Sequence, residues 1–399
     1  MLRVFILLFL ILSSHWSYGQ VDSIRNFIFG HSLLVHEPQD TSYASNYTTV
    51  PHWVYSFAQA NSQSYLVSGQ YGFLPQHINF PPIAQWGFDQ VPGAWESDTE
   101  PFGDADFNVV ILTPANFIQD QPADMNYYNE SLSPVTATSE IVSWSEEQED
   151  EMQVYIYENW PDMAGFIAGE GFPPSPSELS NYHSFTEGDF HDWWLAYQDA
   201  VVMQRPDDQV KMIPVGPIMA SLLSDASLAG IPIDDLYEDN APHGRPTIYF
   251  LAGMITYMAI YEEVVSDDYV VPDVIHPLVT DNFRSIVTTA WDYLQDFNFP
   301  DGSSRVFAAA NMTTAAADLT VDLDGITFYP NPTSGIFVVD GVTTSYDVDI
   351  LDVMGNVHQI LDNSNRIEIN LSALPDGLYF VRLRHRTNGN IHIELILKS

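Results

Sequence analysis

The sequence predicts a three-layer α/β domain on a parallel sheet, followed by a small C-terminal β-sandwich. Three observations carry this. From Val21 to about Phe307, short apolar runs alternate with longer helix-like stretches, the pattern of βαβ units. After about Ile326 the pattern changes to six short alternating runs broken by Asn, Asp, Gly and Pro, with no helix signal. Between the two lies a small, polar stretch at 308–317 that reads as a linker.

In the first domain, strands are expected over 26–29, 64–67, 107–112, 153–157 and 210–215. Helices are expected over 49–61, 190–204, 218–228, 247–264 and 281–294. Several strands end in turn formers: Gly30, Ser68-Gly69, Thr113-Pro114 and Pro214-Val215-Gly216-Pro217. Sites in such sheets gather at the C-terminal strand edges, and Ser32 and Asn116 fall just past two of them. Residues 79–102, with Trp86 and Trp95, and 171–191, with Pro173, Pro174 and Pro176, read as long covering or functional loops. In the second domain, strands are expected over 327–329, 335–339, 346–351, 366–371, 378–383 and 391–397.

Composition bounds the function. The formal net charge is −41, from 12 basic and 53 acidic residues, so nucleic acid and anionic membrane are repelled as partners. There is no cysteine, which excludes disulfides, thiolate metal sites and a cysteine nucleophile. Residues 1–19 read as a secretory signal: Arg3 is the basic end, 4–12 the apolar stretch, and Ser17-Tyr18-Gly19 the cleavage site. No later run is long enough for a transmembrane segment, since 251–261 stops at Glu262-Glu263. The expected organisation is therefore signal peptide 1–19, large domain 20–307, linker 308–325 and C-terminal domain 326–399.

The chemistry concentrates on a few residues. Ser32 sits where an apolar run breaks at Gly30, and Asp239 and His243 lie together near the domain's other end. A serine hydroxyl is a weak nucleophile until a base takes its proton, and histidine is the base whose ordinary pKa lies near neutrality. The base needs an orienting carboxylate, which Asp239 supplies, with Asp235 as a weaker substitute. The developing oxyanion needs donors, and the Ser32 backbone N–H, Gly69 and Asn116 are the candidates.

Other clusters read plainly. His31 and His36 flank Ser32 at a spacing that does not suit a metal. His183, Asp189, His191 and Asp192 read as a helix start with acidic residues near its N-terminus. Asp322-Leu323-Asp324-Gly325 lacks the closing Glu of a calcium loop, and 145–151 reads as an exposed acidic helix start. No cofactor or metal is expected.

The order Gly30-His31-Ser32-Leu33, Ser68-Gly69, Leu112-Thr113-Pro114-Ala115-Asn116, Glu158-Asn159-Trp160 and Asp239 to His243-Gly244 resembles the blocks of the SGNH/GDSL hydrolases. The leading Asp of the first block and the Gly-x-Asn-Asp wording of the third are absent, and the Asp-to-His step is four residues where the family has three. The resemblance implies a flavodoxin-like fold and ester hydrolysis with Ser32 as nucleophile, His243 as base, Asp239 as its orienter, and Ser32, Gly69 and Asn116 at the oxyanion. It implies an ester substrate, an acylated carbohydrate in particular, with Trp86, Trp95, Trp160 and Trp193 offered for sugar stacking. The alternative is a non-catalytic glycan-binding or surface protein on the same fold.

The C-terminal segment resembles a second family. Phe328-Tyr329-Pro330-Asn331-Pro332-Thr333-Ser334-Gly335, then Val348–Gly355, then Leu371–Val381, with Lys398 in a basic tail, are similar to the type A sorting domain of the type IX secretion system. That implies a Bacteroidota-type bacterium, the secretion machinery as partner, and a secreted or cell-surface product carried through the periplasm and outer membrane. The family's tail is normally removed, and some cargo is then anchored to surface lipopolysaccharide.

Overall fold

Apolar runs long enough to be buried on both faces make the central sheet. β1 (Ser23–Gly30) buries Phe27, Ile28 and Phe29, and β3 (Val109–Leu112) buries all four of its residues. With β2 (Ser64–Tyr71), β4 (Gln153–Glu158) and β5 (Lys211–Pro214) they form a five-stranded parallel sheet in the order β2-β1-β3-β4-β5. This is the doubly wound order in which the chain reverses direction between β1 and β3, opening a crevice at their C-terminal ends.

This computed structural model describes residues 21, 23–84, 86–88, 90–128, 130–149, 152–167, 171–206, 208–308, 327–340, 346–352, 357–361, 366–372, 374–375, 377–385 and 391–398. The expected signal peptide, nearly all of the expected linker and Asp322–Gly325 lie outside them. The chain divides into two units, Met1–Asn311 and Met312–Ser399.

Helices flank the sheet. α1 (Val50–Ala60) is capped by Thr49, with Pro51 in its first turn, and packs on α8 (Pro246–Tyr261). Every residue of α8 is buried, as its apolar sequence requires. α9 (Pro277–Asp296) packs on α8, and α3 (Pro134–Gln148) packs on α5 (Asp189–Gln204). The remaining helices are α2 (Leu74–His77), α4 (Pro176–Glu187), α6 (Val215–Ser224) and α7 (Ile233–Leu236). No described helix is long and apolar enough to cross a membrane.

Two helices depart from the expectation. Residues 171–191 hold α4 rather than a loop. Ser175 accepts the Glu178 N–H while the Glu178 carboxylate accepts the Ser175 N–H, and Pro176 opens the helix where its missing donor costs nothing. The described part of the acidic run, 145–149, closes α3 instead of opening a helix, with Glu146 paired to Arg205 at 2.6 Å; Asp150 and Glu151 lie outside the described residues. Three of the four tryptophans offered for sugars are core residues: Trp95, Trp160 and Trp193 are buried. Trp95 packs edge-on against Phe27 and Phe102.

The C-terminal unit has two antiparallel sheets. One is β10 (Arg366–Asn370), β7 (Ile336–Asp340) and β6 (Thr327–Tyr329); the other is β12 (Ile391–Lys398), β11 (Gly377–His385), β8 (Tyr346–Asp352) and β9 (Val357–Leu361). β9 has no counterpart among the six expected strands. Phe337, Val339 and Ile369 of the first sheet share one core with Ile350, Val381 and Ile396 of the second. The Pro330–Gly335 segment is stapled to β12: Asn331 Oδ1 accepts the Leu397 N–H at 3.0 Å, and Thr333 N–H donates to the Leu397 carbonyl at 2.8 Å.

Candidate active site

The turn after β1 presents Ser32. His31, 2% exposed, donates from Nε2 to the Pro114 carbonyl at 3.1 Å, since a carbonyl only accepts. Its Nδ1 then accepts the Leu33 N–H at 3.4 Å, and its carbonyl accepts the Leu34 N–H at 2.9 Å. Burial drives the His31 pKa down to about 4, outweighing the Pro114 bond, so the ring is neutral and its tautomer fixed. The Ser32 carbonyl accepts the Tyr249 hydroxyl at 2.6 Å. Among the described residues the Ser32 backbone N–H meets no acceptor.

The loop between α7 and α8 presents the histidine. It is a narrow hairpin: Tyr237 bridges Gly244, the Glu238 N–H donates to the His243 carbonyl at 2.8 Å, and the Arg245 N–H to the Leu236 carbonyl at 2.7 Å. Gly244 is required by close approach, because a Cβ there would lie 2.6 Å from Ile248 in the first turn of α8. Asp239 spans the four-residue step. Its Oδ1 accepts the backbone N–H of Ala241 (3.0 Å) and of His243 (3.1 Å), and its Oδ2 faces His243 Nδ1 at 2.7 Å. Burial pushes the Asp239 pKa up, but these donors together outweigh it and hold the carboxyl below its ordinary value. Asp235, the substitute, instead lies 3.9 Å from His276.

His243 Nε2 lies 2.9 Å from Ser32 Oγ, bridging 211 residues of sequence. A carboxylate only accepts, so Asp239 fixes the His243 proton on Nδ1. That leaves Nε2 as the acceptor of the Ser32 O–H. The serine and histidine loops are further joined by Glu238, whose Oε1 accepts the N–H of Gln39 at 2.7 Å, and by Arg245–Asp40 at 3.0 Å. A cleft of about 470 Å3 opens here, lined by Ser32, His36, Thr49, Tyr71, Trp86 and His243 among others.

The expected oxyanion residues fare differently. Gly69 is not at a strand end but inside β2, opposite Ile28. Its N–H donates to the Ala84 carbonyl at 3.2 Å, and a Cβ would stand 2.8 Å from the Ile28 carbonyl. Gly69 therefore serves close strand packing, and its amide is spent. Asn116 follows β3, the strand beside β1. It caps no helix, and its side-chain Nδ2 is buried with no partner among the described residues. Its carbonyl accepts the Asp162 N–H at 3.2 Å.

Three groups support the site in roles that the sequence did not disclose, and one of them, Tyr249, was not picked out at all. Asn159 donates from Nδ2 to Thr113 Oγ1 and to the Pro114 carbonyl, both at 2.9 Å, joining the ends of β3 and β4. Trp160 Nε1–H donates to the Pro242 carbonyl at 2.9 Å, which seats the histidine loop. Tyr249 ties α8 to the nucleophile turn. Asn159 and Trp160 lie within a block the sequence had marked, whereas Tyr249 sits in α8 five residues past the last block, with no local signal of its own. His183 and His191 are dispersed: His183 meets Ser224 at 3.0 Å and His191 the buried Glu158 at 2.8 Å.

No curated protein sequence matches the chain. Among solved structures it is similar to PorZ, a bacterial surface component of the type-IX secretion system of Porphyromonas gingivalis, at 18% identity over 21% of this chain and 12% of that one (TM-score 0.18). It is also similar to the endo-beta-1,4-mannanase from Thermotoga petrophila, at 11% identity over 88% of this chain and 60% of that one (TM-score 0.16). The chain thus spans about an eighth of the length of PorZ. These likenesses bear on neither fold nor chemistry. A family model does match: residues 327–398 fit the secretion system C-terminal sorting domain. The chain therefore ends in a type IX secretion sorting domain, which directs its export to the cell surface or beyond.

Proposed function

We propose that the large domain is an SGNH-type serine ester hydrolase delivered by its C-terminal sorting domain. Ser32 Oγ attacks the ester carbonyl carbon while His243 Nε2 takes its proton. The oxyanion is held by the Ser32 N–H and the Asn116 side-chain amide, the donors left without partners. Collapse returns the proton from His243 to the leaving alcohol, and a water activated by the same nitrogen then releases the acyl group from Ser32. Asp239 keeps the imidazole in the accepting tautomer throughout. The observation that carries this reading is the unbroken chain from Asp239 Oδ2 to His243 (2.7 Å) to Ser32 Oγ (2.9 Å).

The substrate reading is an acylated carbohydrate. Trp86, half-buried, stands edge-to-face with Tyr71 at 5.0 Å, and both line the cleft beside Ser32. An aromatic wall facing hydroxyl-bearing residues such as Ser45 and Thr49 suits a ring with one apolar face and polar edges. The test is hydrolysis of 4-nitrophenyl acetate and of acetylated xylo-oligosaccharides by the wild-type chain and by Ser32→Ala. The reading expects turnover of both, abolished in the variant with the melting temperature unchanged. No turnover by the wild type favours the non-catalytic surface protein.

A further inference from the structure

A second acid–imidazole pair lies against the first. His36 Nε2 is 2.8 Å from Glu238 Oε2, and the two side chains are 10% and 6% exposed. The carboxylate accepts, so His36 carries its proton on Nε2. The His36 ring lies flat on that of His243, with centroids 4.1 Å apart and planes 5° from parallel. Adjacent carboxylates thus hold two stacked rings, Glu238 holding His36 and Asp239 holding His243. The backbone beneath His36 is fixed as well: its N–H donates to the Thr48 carbonyl at 3.0 Å, and the Thr48 hydroxyl donates to its carbonyl at 2.7 Å.

We propose that His36 is a positioning residue for His243: anchored by Glu238, its ring is the floor that fixes the plane of the base and stacks on it as it takes up a proton. This rests on the reading of His243 as the base. A neutral aromatic face attracts a cation laid upon it, so uncharged His36 favours the imidazolium formed during attack. A protonated His36 would repel it at this separation. The charged and titratable groups around His36 are Glu238, Asp239 and His243, with Glu37 beside it in the cleft and the Arg245–Asp40 pair behind Glu238. Burial lowers the His36 pKa and outweighs the pull of Glu238, which keeps the ring uncharged.

The test compares His36→Ala and His36→Phe in the full chain by two readouts. In 15N-edited NMR, the wild-type His243 Nδ1–H, bonded to Asp239 at 2.7 Å, should give a slowly exchanging downfield signal whether or not the protein turns over. His36→Ala should broaden that signal, while His36→Phe, which restores a flat face, should recover it. In 4-nitrophenyl acetate hydrolysis, kcat should fall about three- to tenfold in His36→Ala with little change in KM, and recover in His36→Phe. If His36→Ala does not fold, His36→Leu, which fills the volume without an aromatic face, should show the same losses. An unaltered His243 signal in the Ala or Leu variant overturns the proposal. NMR effects as expected, in a wild type that hydrolyses nothing, overturn the hydrolase reading and leave the positioning role standing.

Discussion

Asp239→Asn separates orientation of the base from stability of its loop. The carboxylate makes three hydrogen bonds: Oδ1 accepts two backbone N–H groups at 3.0 and 3.1 Å, and Oδ2 takes the His243 ring N–H at 2.7 Å. An asparagine keeps its carbonyl oxygen where Oδ1 was, so both backbone donors stay satisfied and folding should cost under about 1 kcal/mol. Its amide nitrogen then faces His243 Nδ1 and donates to it. The ring proton moves to Nε2, which can no longer accept from Ser32. The expected loss is about 10³- to 10⁴-fold in kcat, the scale found when an orienting carboxylate is replaced by its amide. Asp239→Ala strands both backbone donors and should cost about 1–3 kcal/mol as well as the rate. The assays are steady-state hydrolysis of 4-nitrophenyl acetate and urea unfolding on the same preparations. An Asp239→Asn rate within tenfold of wild type would refute the reasoning, as would equal destabilisation by Asn and Ala.

Further outcomes follow from the same structure. Burial holds His31, His52, His77 and His183 at pKa values of about 4, so they are neutral when folded but take a proton near pH 6.5 when unfolded. Their stability is fully present above about pH 6.5 and is lost as pH falls toward 4. The urea midpoint should drop steadily across that window, with His31 alone contributing up to about 3 kcal/mol; a flat midpoint contradicts this. Trp86→Ala should raise KM for acetylated xylo-oligosaccharides about tenfold while leaving methyl acetate hydrolysis unchanged, and equal effects on both would remove Trp86 from substrate contact. A chain ending at Thr320 should keep the activity and melting transition of the large unit, yet accumulate in the periplasm of its host. Normal export of that truncated chain would contradict the role of residues 327–398.

Much of the fold is legible because burial on both strand faces leaves continuous apolar runs such as Phe27-Ile28-Phe29 and Val109–Leu112. The sheet's strands lie close to their expected spans. α4 escaped because prolines read as loop formers, although Ser175 and Glu178 carried a capping box in plain view. Gly69 was misplaced because the end of a strand depends on its pairing partner. β2 continues to Tyr71 opposite Gly30, beyond the apolar run that marked it. Ser32, Asp239 and His243 were recognisable as residue types in a particular order. Their meeting depends on a contact across 211 residues, which no local period encodes. The same holds for His36 and Glu238, separated by 202 residues. Three of the tryptophans failed as sugar platforms because composition cannot tell a core aromatic from an exposed one.

The central claim is that Ser32 is a nucleophile activated by His243. It is tested most directly by reacting the purified chain with a fluorophosphonate and reading intact mass and peptide spectra. The account predicts one phosphonyl group per chain, on the peptide bearing Ser32. That adduct should be absent in Ser32→Ala and form at least a hundredfold more slowly in His243→Ala. A wild-type chain left unmodified, or modified at another serine, would contradict it.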